Sequence, residues 1–241
     1  EIEVRMGLRT DQRKSVDREY FLGRLSEEDK GHLLSIEKEY SLLELMEKWL
    51  ERMPFTQSSE FDFWEAYQKA VEEMLNHEKQ IIEDNAASLT AKQKALQLDN
   101  LETTQETFQS LFDKEFHQKQ KDQGRRRLSQ KATLNALFIL LYRDEPLLQQ
   151  PYRLLKTLMD IDEGFTTWRY RHALMAHRML GTKIGTGGSS GHSYLKKAAE
   201  NNRVFLDIFD LSTFLIPRSK LPQLPRDVKK KLDFYFSGSR R

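Results

Sequence analysis

Cysteine is absent from all 241 residues, which removes disulfides, thiolate-ligated metals and cysteine nucleophiles together. A cytoplasmic location is compatible with that absence and is the expectation. No apolar run approaches the ~20 residues of a membrane-spanning helix, so no membrane partner is expected. Charge of one sign is not in excess either: 39 Lys and Arg against 37 Asp and Glu leave +2, too little field to gather nucleic acid. Period-two alternation is missing throughout, so no strand is predicted and the fold class is all-α. The opening residues, Glu1-Ile2-Glu3-Val4-Arg5-Met6, show neither an initiator methionine nor a signal-peptide pattern. They read as the interior of something, and the chain is expected to be the C-terminal portion of a longer protein.

What is present is helical periodicity. Residues 1–32 are charged and only weakly periodic. From Ser35 to Arg52 the apolar positions Ile36, Tyr40, Leu43, Met46 and Leu50 recur every three or four residues, and Pro54 marks the stop. Phe61, Trp64, Tyr67, Val71, Met74 and Leu75 make a second stripe that runs to about Asp84. Residues 85–127 are dominated by Gln, Lys, Glu and Asp, with sparse apolar positions such as Leu96, Phe108 and Leu111. They predict one or two exposed helices, closed by the basic run Arg125-Arg126-Arg127. That run could hold phosphate, but no aromatics are interleaved with it, so a solvated inter-helix loop is the better reading. Ser129 is a predicted N-cap for a strongly apolar helix through Leu134, Leu137, Phe138 and Leu141. Further helices are predicted over about Tyr152–Asp160, Asp162–Leu180, 191–200 and 203–215. The chain thus divides into 1–84, the first part of the main domain; 85–127, a charged helical excursion; and 128–241, the rest of the main domain.

The densest chemistry lies in that last part. Trp168, His172, Met175 and Met179 follow one another at helical spacing and so share a face on which a flat apolar group could lie. A histidine on such a face is, on the residues alone, more often a satisfied core residue than a ligand. His177, five positions on, points elsewhere and cannot share a metal with His172. Gly181 is placed to end the helix, and Gly181 to Gly191 hold five of the eleven glycines. Gly185-Thr186-Gly187-Gly188-Ser189-Ser190-Gly191 follows a helix, not a strand, and lacks the Lys-hydroxyl pair of a Walker loop, which speaks against a phosphate site.

The segment from Trp168 to Gly191, histidine helix running straight into glycine-threonine loop, closely resembles the proximal heme region of tryptophan 2,3-dioxygenases. Leu155 to Asp162 and Phe209 to Arg218 also resemble that family, Leu43 to Arg52 more loosely. The resemblance implies an all-α heme-binding domain with a charged helical excursion. It implies heme b, its iron held by His172 with Trp168 and Met175 beside it. Thr186, with Gly185, would receive the ammonium of L-tryptophan, and the loop would close over the substrate. Both atoms of O2 would be inserted across the indole C2–C3 bond to give N-formylkynurenine, the first step of tryptophan catabolism by the kynurenine pathway. The distal histidine, the indole pocket and the carboxylate-binding arginine belong to a preceding segment of the family. No residue here matches them, so no catalytic residue is assigned; neither Arg169 nor Arg171 takes the carboxylate role. The implied partners are that complementary N-terminal segment and further copies in a homotetramer. The alternative is a non-catalytic heme-binding or helical scaffold protein.

Overall fold

A computed structural model describes residues 2–8, 19, 22–53, 62–181 and 202–232. Among the described residues every regular element is helical and none is a strand, so the all-α expectation holds. The α-helices are α1 (Ile2–Met6), α2 (Glu27–Ile36), α3 (Leu42–Glu51), α4 (Phe63–Asp84), α5 (Ala91–Ser110), α6 (Lys114–Asp122), α7 (Gln130–Leu141), α8 (Gln149–Leu180), α9 (Leu206–Asp210) and α10 (Arg226–Leu232). They fall into two compact units, Glu1–Trp49 with Leu154–Phe209 and Leu50–Arg153 with Asp210–Arg241.

The second unit is built around α7. Ser129 caps it by accepting the Ala132 N–H at 3.3 Å, as its position before an apolar run predicts. Every residue from Ala136 to Leu141 is buried, so this helix is apolar on all sides because it is enclosed on all sides. Thr133 and Asn135 are its buried polar residues; the Thr133 hydroxyl donates to the Ser129 carbonyl at 2.9 Å and the Asn135 amide to the Leu50 carbonyl at 2.8 Å, which offsets the cost of burying them. Asp62 caps α4, taking the Trp64 and Glu65 N–H groups at 2.9 and 3.1 Å. Thr90 and Gln93 form a reciprocal capping box that starts α5. These two helices make an antiparallel hairpin whose base is a nest of rings. Phe63 meets Phe138 edge-on at 4.9 Å, and Phe108 meets Phe214 edge-on at 5.8 Å. Tyr67 lies fully buried in that nest, its hydroxyl donating to the Phe214 carbonyl at 2.5 Å. Burial pushes its phenol well above the ordinary tyrosine range, because the phenolate would have no water.

In the first unit, Val4, Leu33 and Ile36 form a core flanked by Leu22 and Leu25. One predicted helix over Ser35–Arg52 is in fact two, broken between Ile36 and Leu42. The cause is a second local signal: Ser41 and Glu44 form a capping box. The Glu44 carboxylate accepts the Ser41 N–H at 2.8 Å, and the Ser41 hydroxyl accepts the Glu44 N–H at 3.3 Å. Gly7 sits against this start with φ +119°, where a Cβ would lie 2.8 Å from that of Leu43. Conversely, the two helices predicted on either side of Ile161 are one, α8, 32 residues and about 48 Å long. Asp162 does not cap a new helix; its side chain is engaged elsewhere, as described next. The helix predicted over 191–200 and the glycine loop lie outside the described residues.

Candidate functional site

Helix α8 ends where the sequence predicts. Gly181, at φ +62°, donates its N–H to the His177 carbonyl at 2.8 Å, closing the last turn in the left-handed conformation that glycine tolerates best. Two turns earlier the helix presents the Trp168, His172, Met175 and Met179 face. Its apolar side chains stand largely in the open: Trp168 is 57% exposed, Met175 55% and Met179 76%. Leu154 and Ile161 continue the stripe toward the N-terminus at seven-residue spacing and are also exposed. Singly exposed apolar residues are ordinary; a stripe of them along one helix marks a surface that something apolar covers.

His172 is half-buried on this face. Trp168 packs against it one turn earlier, the ring centroids 5.3 Å apart at 59°, restricting how the imidazole turns. Among the described residues no hydrogen bond engages either of its ring nitrogens. His117 gives the contrast. It is buried, with Nε2 2.9 Å from the Leu128 carbonyl and Nδ1 3.0 Å from an Arg126 Nη1. Arginine only donates, so Nδ1 accepts and Nε2–H donates to Leu128: this histidine is a satisfied core residue in a fixed tautomer. The same contact turns Arg126 of the basic run inward, toward the fold. Nothing in the local sequence marked His117, because its partners arrive through the turn that follows α6.

The adjacent flank of α8 carries two buried charges. Asp162 accepts the Val204 N–H at 3.0 Å and the Phe205 N–H at 3.1 Å. Arg169 directs Nε and Nη2 to one carboxylate oxygen of Glu3, at 2.9 and 2.7 Å, and Nη1 to the Asn202 carbonyl at 3.0 Å. All of its nitrogens are thereby committed, which removes it as an anchor for an external carboxylate, in line with the sequence reading. Glu3 and Asn202 are 166 and 33 positions away, so no sequence window could have paired them with Arg169. Thr186 and Gly185 lie outside the described residues.

The arrangement offers one histidine on an open apolar face. No group of three or more His, Cys, Asp or Glu able to hold a bare metal ion occurs among the described residues. A heme needs neither such a group nor a polar cage; it needs one neutral imidazole nitrogen and a flat apolar wall, and the His172 face has that chemistry. No described helix is long and apolar enough to cross a membrane.

Comparison with known proteins supplies the family. The family profile described as tryptophan 2,3-dioxygenase matches residues 1–215. The tryptophan 2,3-dioxygenase of Alteromonas mediterranea is 44% identical over 234 residues, 97% of this chain and 64% of the relative. That of Bdellovibrio bacteriovorus is 46% identical over 98% of this chain and 65% of the relative. The Dictyostelium discoideum protein of the same name is 39% identical over 98% and 59% respectively. The chain therefore spans somewhat under two thirds of the length of these relatives. With a matching profile over nearly all of its length, this chain belongs to the tryptophan 2,3-dioxygenase family.

Proposed function

We propose that this chain forms the proximal side of a heme-dependent dioxygenase that converts L-tryptophan and O2 to N-formylkynurenine, opening the kynurenine pathway. The observation that carries the reading is His172: half-buried, ringed by exposed Trp168 and Met175, and free of hydrogen bonds among the described residues. His172 would ligate the iron, and Trp168, Met175 and Met179 would lie against the macrocycle. When bound, the heme supplies the oxygen chemistry, leaving binding, orientation and electrostatics to the protein. Trp168 limits rotation of the imidazole. The methionines offer a polarisable, water-excluding wall. Thr186, with carbonyls nearby such as that of Gly185, would take the substrate ammonium, which only donates hydrogen bonds.

The same reading makes the protein a cytoplasmic homotetramer in which a complementary N-terminal segment covers the His172 face. Light scattering reports the subunit number directly. The function is tested by the ultraviolet-visible spectrum of the assembled protein, reduced and under carbon monoxide, beside a His172→Ala variant. A Soret band that shifts with carbon monoxide and collapses in the variant, together with turnover of tryptophan, is the expected result. Heme without turnover would favour a heme-binding protein without catalysis. A Soret band that persists unchanged in His172→Ala would sink the ligand assignment. Thr186→Ala is expected to raise KM for tryptophan more than it lowers heme content; equal loss of both would remove Thr186 from the ammonium site.

A further inference from the structure

The charged excursion that follows α4 has no part in the His172 chemistry, yet with α4 it encloses a cavity. About 340 Å³ lies between the two arms of the α4–α5 hairpin, within the size range of small-molecule sites. The hairpin belongs wholly to the second unit, whereas His172 belongs to the first. Tyr67 and Val71 of α4 and Phe108 of α5 form the buried floor, with Phe112 half-buried beside them. The Tyr67 ring centroid is 6.4 Å from that of Phe108 and 6.2 Å from that of Phe112, so three rings border one space. The Tyr67 hydroxyl is engaged by the Phe214 carbonyl, and the ring meets the cavity as an apolar wall.

The rim is polar and uncommitted. Gln68 and Glu72 on α4, and Gln105 and Gln109 on α5, line the cavity in pairs four positions apart, each pair on one helix face. All four are exposed, and among the described residues none of their side chains makes a hydrogen bond or ion pair with the protein. The lining holds one formal charge, the Glu72 carboxylate, and no cation. An anion would therefore meet repulsion with nothing to offset it. A cation meets the carboxylate, three carboxamide oxygens that can turn toward its N–H groups, and ring faces that attract positive charge. We propose that this cavity binds a small organic monocation with a flat aromatic body, an arylalkylamine. Its ring would pack among Tyr67, Phe108 and Phe112, and its ammonium would donate to Glu72 and the neighbouring glutamines. Because Glu72 is exposed, its attraction is modest; the rings carry most of the affinity and the carboxylate sets the sign of charge. The excursion thereby gains a role, since α5 and the residues just beyond it supply one side of the site.

The test uses the whole assembled protein, with phenethylamine as the probe, phenethyl alcohol as its uncharged analogue and phenylacetate as the anion. Calorimetry and saturation-transfer NMR measure binding to the parent, Glu72→Gln and Gln105→Trp. The last places a bulky ring at an exposed rim position and narrows the entrance. Glu106→Gln is the control, an exposed carboxylate that does not line the cavity and points about 100° away from Gln105. The amine is expected to bind more tightly than the alcohol, and phenylacetate least. Glu72→Gln should weaken the amine roughly three- to fivefold, the scale of an exposed ion pair, and leave the alcohol unchanged. Gln105→Trp should weaken both by at least about tenfold, as losing the burial of a ring does. Glu106→Gln should change neither. Both test positions are exposed, so parental melting temperatures are expected and check that the variants fold; Glu72→Gln decides alone if Gln105→Trp does not. Amine binding that neither substitution alters belongs elsewhere on the protein and would refute the site. Phenylacetate held as tightly as the amine would refute the ligand class. No binding of the amine to the parent would overturn the proposal as well, the outcome expected if another segment or a second copy fills the groove.

Discussion

Replacing Tyr67 by phenylalanine deletes one oxygen from the interior of the second unit and little else. Tyr67 is fully buried, and its ring meets Phe63 at 6.1 Å, Phe112 at 6.2 Å and Phe108 at 6.4 Å, contacts that phenylalanine keeps. What is lost is the bond to the Phe214 carbonyl, which is left buried without that donor. A buried acceptor stripped of its partner costs about 1–3 kcal/mol, and the removed hydroxyl returns part of its own desolvation, so about 1.5 kcal/mol is expected. For a chain of this size that is a fall in Tm of roughly 3–6 °C. A second signature follows from the raised phenol. Its folded pKa lies above the unfolded value of 10.0, so the folded state holds the proton when the unfolded chain has lost it. Tyr67 therefore contributes fully below pH 10 and its contribution declines above it, at a slope of about 1.4 kcal/mol per pH unit. Tyr67→Phe should be less stable at pH 7 but lose stability less steeply between pH 10 and 11. Urea unfolding across that range measures both. A variant as stable as the parent at pH 7, or one with an unchanged alkaline slope, would refute the assignment of a buried, hydrogen-bonded phenol.

Other perturbations separate local from long-range causes. Gly181→Ala should cost only about 1–2 kcal/mol, since a left-handed φ is imposed on alanine in otherwise open space. Gly7→Ala adds a 2.8 Å clash with the Leu43 Cβ to its positive φ and should cost clearly more; equal Tm losses would contradict the packing of Gly7 on Ser41 and Leu43. Leu50→Ala, at a fully buried position, is expected to lose about 2–5 kcal/mol in chemical denaturation. Asp160→Asn, by contrast, should change stability by less than about 0.5 kcal/mol, because its pair with Lys156 is exposed.

The helical periodicity, the Ser129 cap, the Gly181 stop and the apolar stripe around His172 were all legible in the sequence, because each depends on residues within about one or two turns. The break before α3 was also written locally, in Ser41 and Glu44, but the apolar spacing that continues through Tyr40 outweighed it. A periodic stripe says which face is buried, not that the helix is unbroken. The break predicted after Asp160 erred in the opposite sense, since α8 runs through that point as one helix.

What the sequence by itself determined was secondary structure, fold class and the helix face that bears His172, all set by short-range geometry. Tertiary structure alone decided which polar groups are satisfied. Asp162 became the anchor of Val204 and Phe205, Arg169 was committed to Glu3 and Asn202, and His117 was locked between Arg126 and Leu128 while His172 gained no hydrogen bond among the described residues. A buried charge takes its role from whatever donor or acceptor meets it in the core. For Arg169 that meeting joins residues 166 positions apart, a distance over which composition, spacing and periodicity carry no information.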